Sequence, residues 1–128
     1  DNLYLATREA GRRKRWSGVA SAMKKPVQQA GFSFVEQFVG HGIGRKMHKD
    51  PQVPNFMSDQ LKKHDFRLEP GLVLAIEPMV NAGGPAVRVL DDGWTASTVD
   101  GSLSAHFERT IAIPASGPRL LGGDAEVI

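Results

Sequence analysis

Over residues 17–31, SGVASAMKKPVQQAG, apolar side chains recur at helical spacing: Val19, Ala22, Met23, Pro26, Val27 and Ala30. Ser17 stands where it can cap the start of this helix, and Gly31 where it can end it. Pro26 is the misfit, because it lacks a backbone donor and crowds the carbonyl of Ala22, which predicts a kink. Residues 1–10 carry a second, weaker helical pattern that starts in mid-element. Between the two lies GRRKRW (11–16), a basic run with one aromatic, which reads as a solvated interhelical loop.

After Gly31 the period changes from helical to alternating. FSFVEQFV (32–39) is aromatic and β-branched, as strands are. LEPGLVLAIEPMV (68–80) opens on a Pro70-Gly71 turn and runs into an apolar strand. AVRVL, an Asp92-Gly93 turn, WTASTV, an Asp100-Gly101 turn and SAHFERTIAI then read as a meander. The tail from Pro114 has no period. The chain therefore divides into a helical part (1–31), an antiparallel sheet (32–113) and a flexible tail (114–128), one domain of the α+β class.

Bulk numbers narrow the function classes. At 128 residues, with 41% hydrophobic and 23% charged positions, the chain is one globular domain with a real core. A net charge of +2 gives no ground for a nucleic-acid partner. With no cysteine there are no disulfides and no thiolate ligands, so a metal site must use His, Asp and Glu. No apolar run reaches the length of a membrane span and the start has no signal-peptide pattern, so a cytoplasmic protein without membrane attachment is expected. The chain begins without methionine and reads as a piece of something longer.

Candidate chemistry concentrates in three places. GHGIGRKMHKDPQVPNF (40–56) sets His41 and His48 seven residues apart among glycines. Short zinc motifs space their histidines three to five apart, so this pair is open between a metal or catalytic constellation and a loop. Glu77 interrupts the apolar run GLVLAIEPMV, where an ionised carboxylate needs either a basic partner or a metal. Alternation along SAHFERTIAI sets Ser104, His106, Glu108 and Thr110 on one face, with Glu108 either a cross-strand partner of a basic residue or part of a site.

Taken together and in this order, GHGIGRKMHKDPQVPNF, LEPGLVLAIEPMVNAGG and DDGWTASTVDGSLSAHFERTIAI closely resemble the C-terminal half of type I methionine aminopeptidases. The resemblance runs from DNLYLATREA to about Pro114. It implies the pita-bread fold, two pseudo-symmetric halves with a two-metal site between them, of which this chain is one half with two helices and an antiparallel sheet. It implies that His41 and Glu77 each bind one of the metals, that Glu108 bridges both, and that His48 is the catalytic imidazole facing the substrate amide. Met47 and Trp94 match positions that line the pocket for the N-terminal methionine side chain. Such ligands suit Co²⁺, Mn²⁺, Fe²⁺ or Zn²⁺.

The same resemblance implies two aspartate ligands and a further histidine upstream of this sequence, so this chain alone is expected to hold one ion or none. Lys49, His106 and Arg109 depart from the pattern, His106 standing where glutamine is usual. The implied function is removal of N-terminal methionine from peptides, with little activity from this half alone. Two other readings stand beside it: a non-catalytic peptide- or partner-binding module, and one chain of a split enzyme. The expected partners are a peptide or nascent-chain N-terminus and a missing N-terminal half, or a second copy in its place.

Overall fold

The computed structural model describes residues 2–122. Helix α1 (Asn2–Ala10) and helix α2 (Trp16–Gln29) lie where the apolar spacing sets them. Helix α2 ends at Gly31, whose φ of 77° suits glycine. There Phe32 N–H donates to the Val27 carbonyl and Gly31 N–H to that of Gln28, the paired bonds of a Schellman stop. Pro26 lies inside α2 without ending it.

Its start differs from expectation. Arg15 occupies the cap position without a side-chain bond, and Ser17 is already helical. The carboxylate of Asp65, 48 residues away, accepts from both the Ser17 N–H (3.0 Å) and its hydroxyl (2.7 Å). The basic run is also no free loop, since Trp16 N–H donates to the Phe66 carbonyl and Leu68 N–H to that of Lys14. Trp16 is fully buried, stacked on Phe66, with its indole N–H on the Pro54 carbonyl at 2.7 Å.

The strands are shorter and more numerous than the alternation suggests. In chain order they are β1 (Ser33–Phe34), β2 (Gly40–Gly42), β3 (Lys49–Val53), β4 (Leu72–Ile76), β5 (Met79–Asn81), β6 (Val87–Val89), β7 (Ala96–Thr98), β8 (Ser104–His106), β9 (Arg109–Ile113) and β10 (Arg119–Leu121). A third helix, α3 (Asp59–Lys63), capped by the Ser58 hydroxyl on Leu61 N–H, was not expected. The five-stranded antiparallel sheet has the order β10-β9-β4-β2-β3, a three-stranded one the order β1-β5-β8, and β6-β7 form a separate hairpin.

Three expectations are corrected here. The strand expected over 32–39 shrinks to Ser33–Phe34. The meander keeps only its β6-β7 hairpin, because β8 pairs with β5. Residues 119–121, assigned to an aperiodic tail, pair with β9, whereas 123–128 lie outside the described residues.

A larger correction concerns the two glutamates. LVLAIEPMV is not one strand but β4 and β5, broken at Glu77-Pro78; SAHFERTIAI is β8 and β9, broken at Phe107-Glu108. Ile76 pairs with Arg109 and Met79 with His106, so the two breaks lie opposite one another. A single antiparallel ribbon thus passes from one sheet to the other, with a glutamate on each strand at the crossing.

Leu3, Trp16, Val19 and Met23 from the helices form one buried cluster with Val53, Leu74, Ile76 and Ile111 from the sheet. Directly opposed residues share a face. Leu74 and its partner Ile111 face the helices, so the other face carries Ala75 with its partners His41 and Thr110.

Candidate metal centre

The position of His41 follows from the glycines beside it. A Cβ on Gly40 would collide with the carbonyl oxygen of Ala75, and one on Gly42 with that of Asp50. Glycine lets β2 sit between β3 and β4, which aims the His41 side chain off the face opposite the helices. Its Nδ1 lies 2.9 Å from the Gly42 carbonyl oxygen. A carbonyl only accepts, so in the neutral ring Nδ1 carries the proton and Nε2 presents its lone pair outward.

That lone pair meets the ribbon crossing. His41 Nε2 is 3.4 Å from Glu77 Oε1, and one donor atom from each of His41, Glu77 and Glu108 lies within 4.8 Å of the others. His41 and Glu77 are largely shielded, with Glu108 on the exposed side. Burial, and then the negative charge of Glu108, raises the Glu77 carboxyl above the usual glutamate range; His41, His106 and His48 partly offset this. Among the described residues no Lys or Arg ion-pairs with either carboxylate, and Arg109 bonds only the Glu108 backbone oxygen. The basic partner that could have explained Glu77 is therefore not there. Two carboxylates and a correctly turned imidazole, with no resident cation to offset them, fit a divalent metal ion.

The other sequence candidates divide. The His48 ring lies 4.1 Å from that of His41, centroid to centroid, on the exposed side. Trp94 lines a cavity of about 570 Å³ whose wall includes Glu77, Met79, Phe38 and His106. Met47 is exposed and is not among the residues lining that cavity. His106, noted from sequence only as a departure, reaches Glu77 Oε2 at 3.6 Å. Asn55 was missed altogether: fully buried, it donates to the Glu77 backbone oxygen at 3.5 Å and steadies the break. Its only signal in the sequence is a polar residue between Pro54 and Phe56.

An antiparallel sheet backed by helices, with a His/Glu/Glu group at the crossing between sheets, fits a metallopeptidase. Residues 3–115 match metallopeptidase family M24, and the chain belongs to that family. It is 51% identical over 107 residues to a methionine aminopeptidase of Clostridium perfringens, covering 84% of this chain and 42% of that protein. Methionine aminopeptidase 1 of Bacillus subtilis is 46% identical over 117 residues, 91% of this chain and 46% of that protein. The crystal structure of methionine aminopeptidase from Thermotoga maritima superposes with a TM-score of 0.76 at 40% identity, over 92% of this chain and 50% of that one. The fold is thus that of one half of the pita-bread architecture. The chain spans about half the length of the relatives it matches or less. Among the described residues no helix is long and apolar enough to cross a membrane.

Proposed function

We propose that this chain is the half of a methionine aminopeptidase that supplies His41, Glu77 and Glu108 to a dinuclear centre. The convergence of those three donors at the ribbon crossing carries the reading. A divalent ion there, Co²⁺, Mn²⁺, Fe²⁺ or Zn²⁺, would supply Lewis acidity and acidify water for attack on the first peptide bond. His41 and Glu77 hold one side of the centre and Glu108 reaches toward the other. His48, beside His41 on the open side, donates to the substrate amide as the carbonyl carbon becomes tetrahedral. Trp94 forms an apolar wall for the methionine side chain, and Met47 joins it only if the loop after β2 folds inward. The substrate is a peptide or nascent-chain N-terminus, and the cytoplasm is the proposed location. The partner is the complementary half of the fold, or a second copy of this chain in its place.

Calorimetric titration of the chain with Co²⁺ tests the centre. His41→Ala or Glu108→Ala should abolish binding, while His48→Ala leaves affinity within about threefold; equal loss from His48→Ala would overturn the role given to it. Release of methionine from a Met-Ala-Ser peptide tests the activity. Release should be at background for the chain alone, where three ligands cannot hold two ions, and rise when a polypeptide carrying the other ligands is added. A mixture that prefers another N-terminal residue to methionine would refute the substrate.

A further inference from the structure

The basic run GRRKRW is pinned by its backbone, and the pinning sets two cations against each other. Trp16 N–H donates to the Phe66 carbonyl at 3.1 Å and Leu68 N–H to that of Lys14 at 3.0 Å. These bonds bracket Arg15 and Arg67, which oppose one another as an antiparallel pair. A pair bracketed in this way is the close one, with Cα atoms about 4.5 Å apart and both side chains on one face. Like charges directly opposite destabilise such a pairing. Asp65 lies 3.5 Å from the Arg15 guanidinium, but its carboxylate already accepts two bonds from Ser17. Arg13 is held by Glu9 at 2.8 Å. Lys14 and Arg67 have no side-chain hydrogen bond or ion pair among the described residues. These four cations line an open groove of about 450 Å³, in which they face one carboxylate, that of Glu69.

We propose that this groove binds the phosphate backbone of a nucleic acid, without reading its bases. Guanidinium forks match phosphate oxygens, and an anion between Arg15 and Arg67 relieves their repulsion. Arg12, Arg13, Lys14 and Arg15 are consecutive and exposed, a row longer than one phosphate and suited to a chain of them. No aromatic ring lines the groove for a base to stack on, so the contact is with the backbone alone. Its apolar wall is one half-buried leucine, Leu68, too little to anchor in a bilayer. The net charge of +2 conceals the site, because it averages this groove with the rest of the chain. None of these residues belongs to the His/Glu/Glu group, so the proposal stands apart from the metal centre.

Fluorescence anisotropy of the full chain with a short labelled DNA duplex, at about 50 to 200 mM salt, tests it. About three or four neutralised phosphates predict a slope of log K against log salt of roughly −3. Lys14→Ala/Arg67→Ala should make that slope shallower by about 2 and weaken binding about tenfold, equally for A·T-rich and G·C-rich duplexes. Lys24→Ala/Lys25→Ala removes the same charge from exposed positions of α2 and should leave the slope unchanged. Removing Arg67 eases a repulsion, so the urea midpoint of the first variant should not fall. If that variant fails to fold, amide shifts of Lys14, Arg15 and Arg67 in the unaltered chain during the titration decide instead. No binding at the lowest salt overturns the proposal, as does equal loss from Lys24→Ala/Lys25→Ala or shifts confined to other residues. Binding of pyrophosphate, or of phosphatidylserine vesicles, with none of the duplex overturns it too. A preference between the two duplexes beyond about threefold would refute a contact made with the backbone alone.

Discussion

The helix-backed sheet and the segments beyond the ribbon crossing solve opposite problems. On the helix side, Trp16, Met23, Leu74, Ile76 and Ile111 are sealed from water, and even the one indole N–H finds a carbonyl. Beyond the ribbon crossing, Trp94 is 90% exposed, and Leu103 and Phe107 are largely so. Apolar side chains are thus spent on stability on one side and left available on the other. The His/Glu/Glu group stands on the border, with His41 and Glu77 shielded and Glu108 open.

The sharpest test of that contrast is a matched pair of truncations. Leu74→Ala should cost about 2–5 kcal/mol through lost burial and a cavity. Leu103→Ala, the same chemical change on the open side, should stay within about 0.5 kcal/mol. Urea unfolding of both variants measures the difference, and similar losses would erase the distinction between the two sides. A smaller effect is expected where the helix side is tied together. Asp65→Ala removes the distant cap from α2 and should cost about 1 kcal/mol, read from the same unfolding curves.

The smallest effect belongs to the open side and is set by pH. Bonds from the Ser102 hydroxyl and from the Ser102 and Gly84 N–H groups hold the Asp100 carboxyl down at about 2. Its value in the unfolded chain is about 3.9. A lowered carboxyl pKa contributes stability that is complete above the unfolded value and is lost as pH falls through the folded one. The segment joining β5 to β8 should therefore loosen between about pH 4 and pH 2, and Asp100→Asn should remove that dependence. Chemical shifts of the Gly84 and Ser102 amides across the titration check it; an unchanged profile in Asp100→Asn would remove Asp100 as the cause.

Legibility in the sequence followed the range of the interaction responsible. Helix α2 was legible because its period, its Gly31 stop and its apolar face are all local. The cap was not, since Asp65 comes from 48 residues away and Ser17 looked sufficient. At Glu77 the neighbouring Pro78, which cannot donate to a sheet, is a signal of the break, although the run reads as one apolar strand. At Glu108 nothing marks it: Phe107 and Arg109 continue the alternation, so one strand was expected where two sheets meet. Helix α3 had a Ser cap and terminal lysines, but only five residues on which to show a period. The three proposed ligands were named through resemblance to a family; the residues alone left each of them open.

The opposed breaks in the ribbon have one more consequence. Glu77-Pro78 and Phe107-Glu108 are gaps of equal length between paired residues, so the spacing of the two carboxylates is a count of residues along two strands. Deleting Phe107 leaves His41, Glu77 and Glu108 chemically intact. It would nevertheless shift one strand by about 3.3 Å against its partner, or reverse its faces. Either outcome separates the donors by more than a shared ion can span. Conversely, an ion at a hundred times its dissociation constant would add about 2.7 kcal/mol to the folded state. The proposed ligands span the crossing, so slowed amide exchange should reach β4 and β9 on one side and β5 and β8 on the other together. An ion held there would in this sense gauge strand alignment, reporting that two sheets have been joined in the correct register.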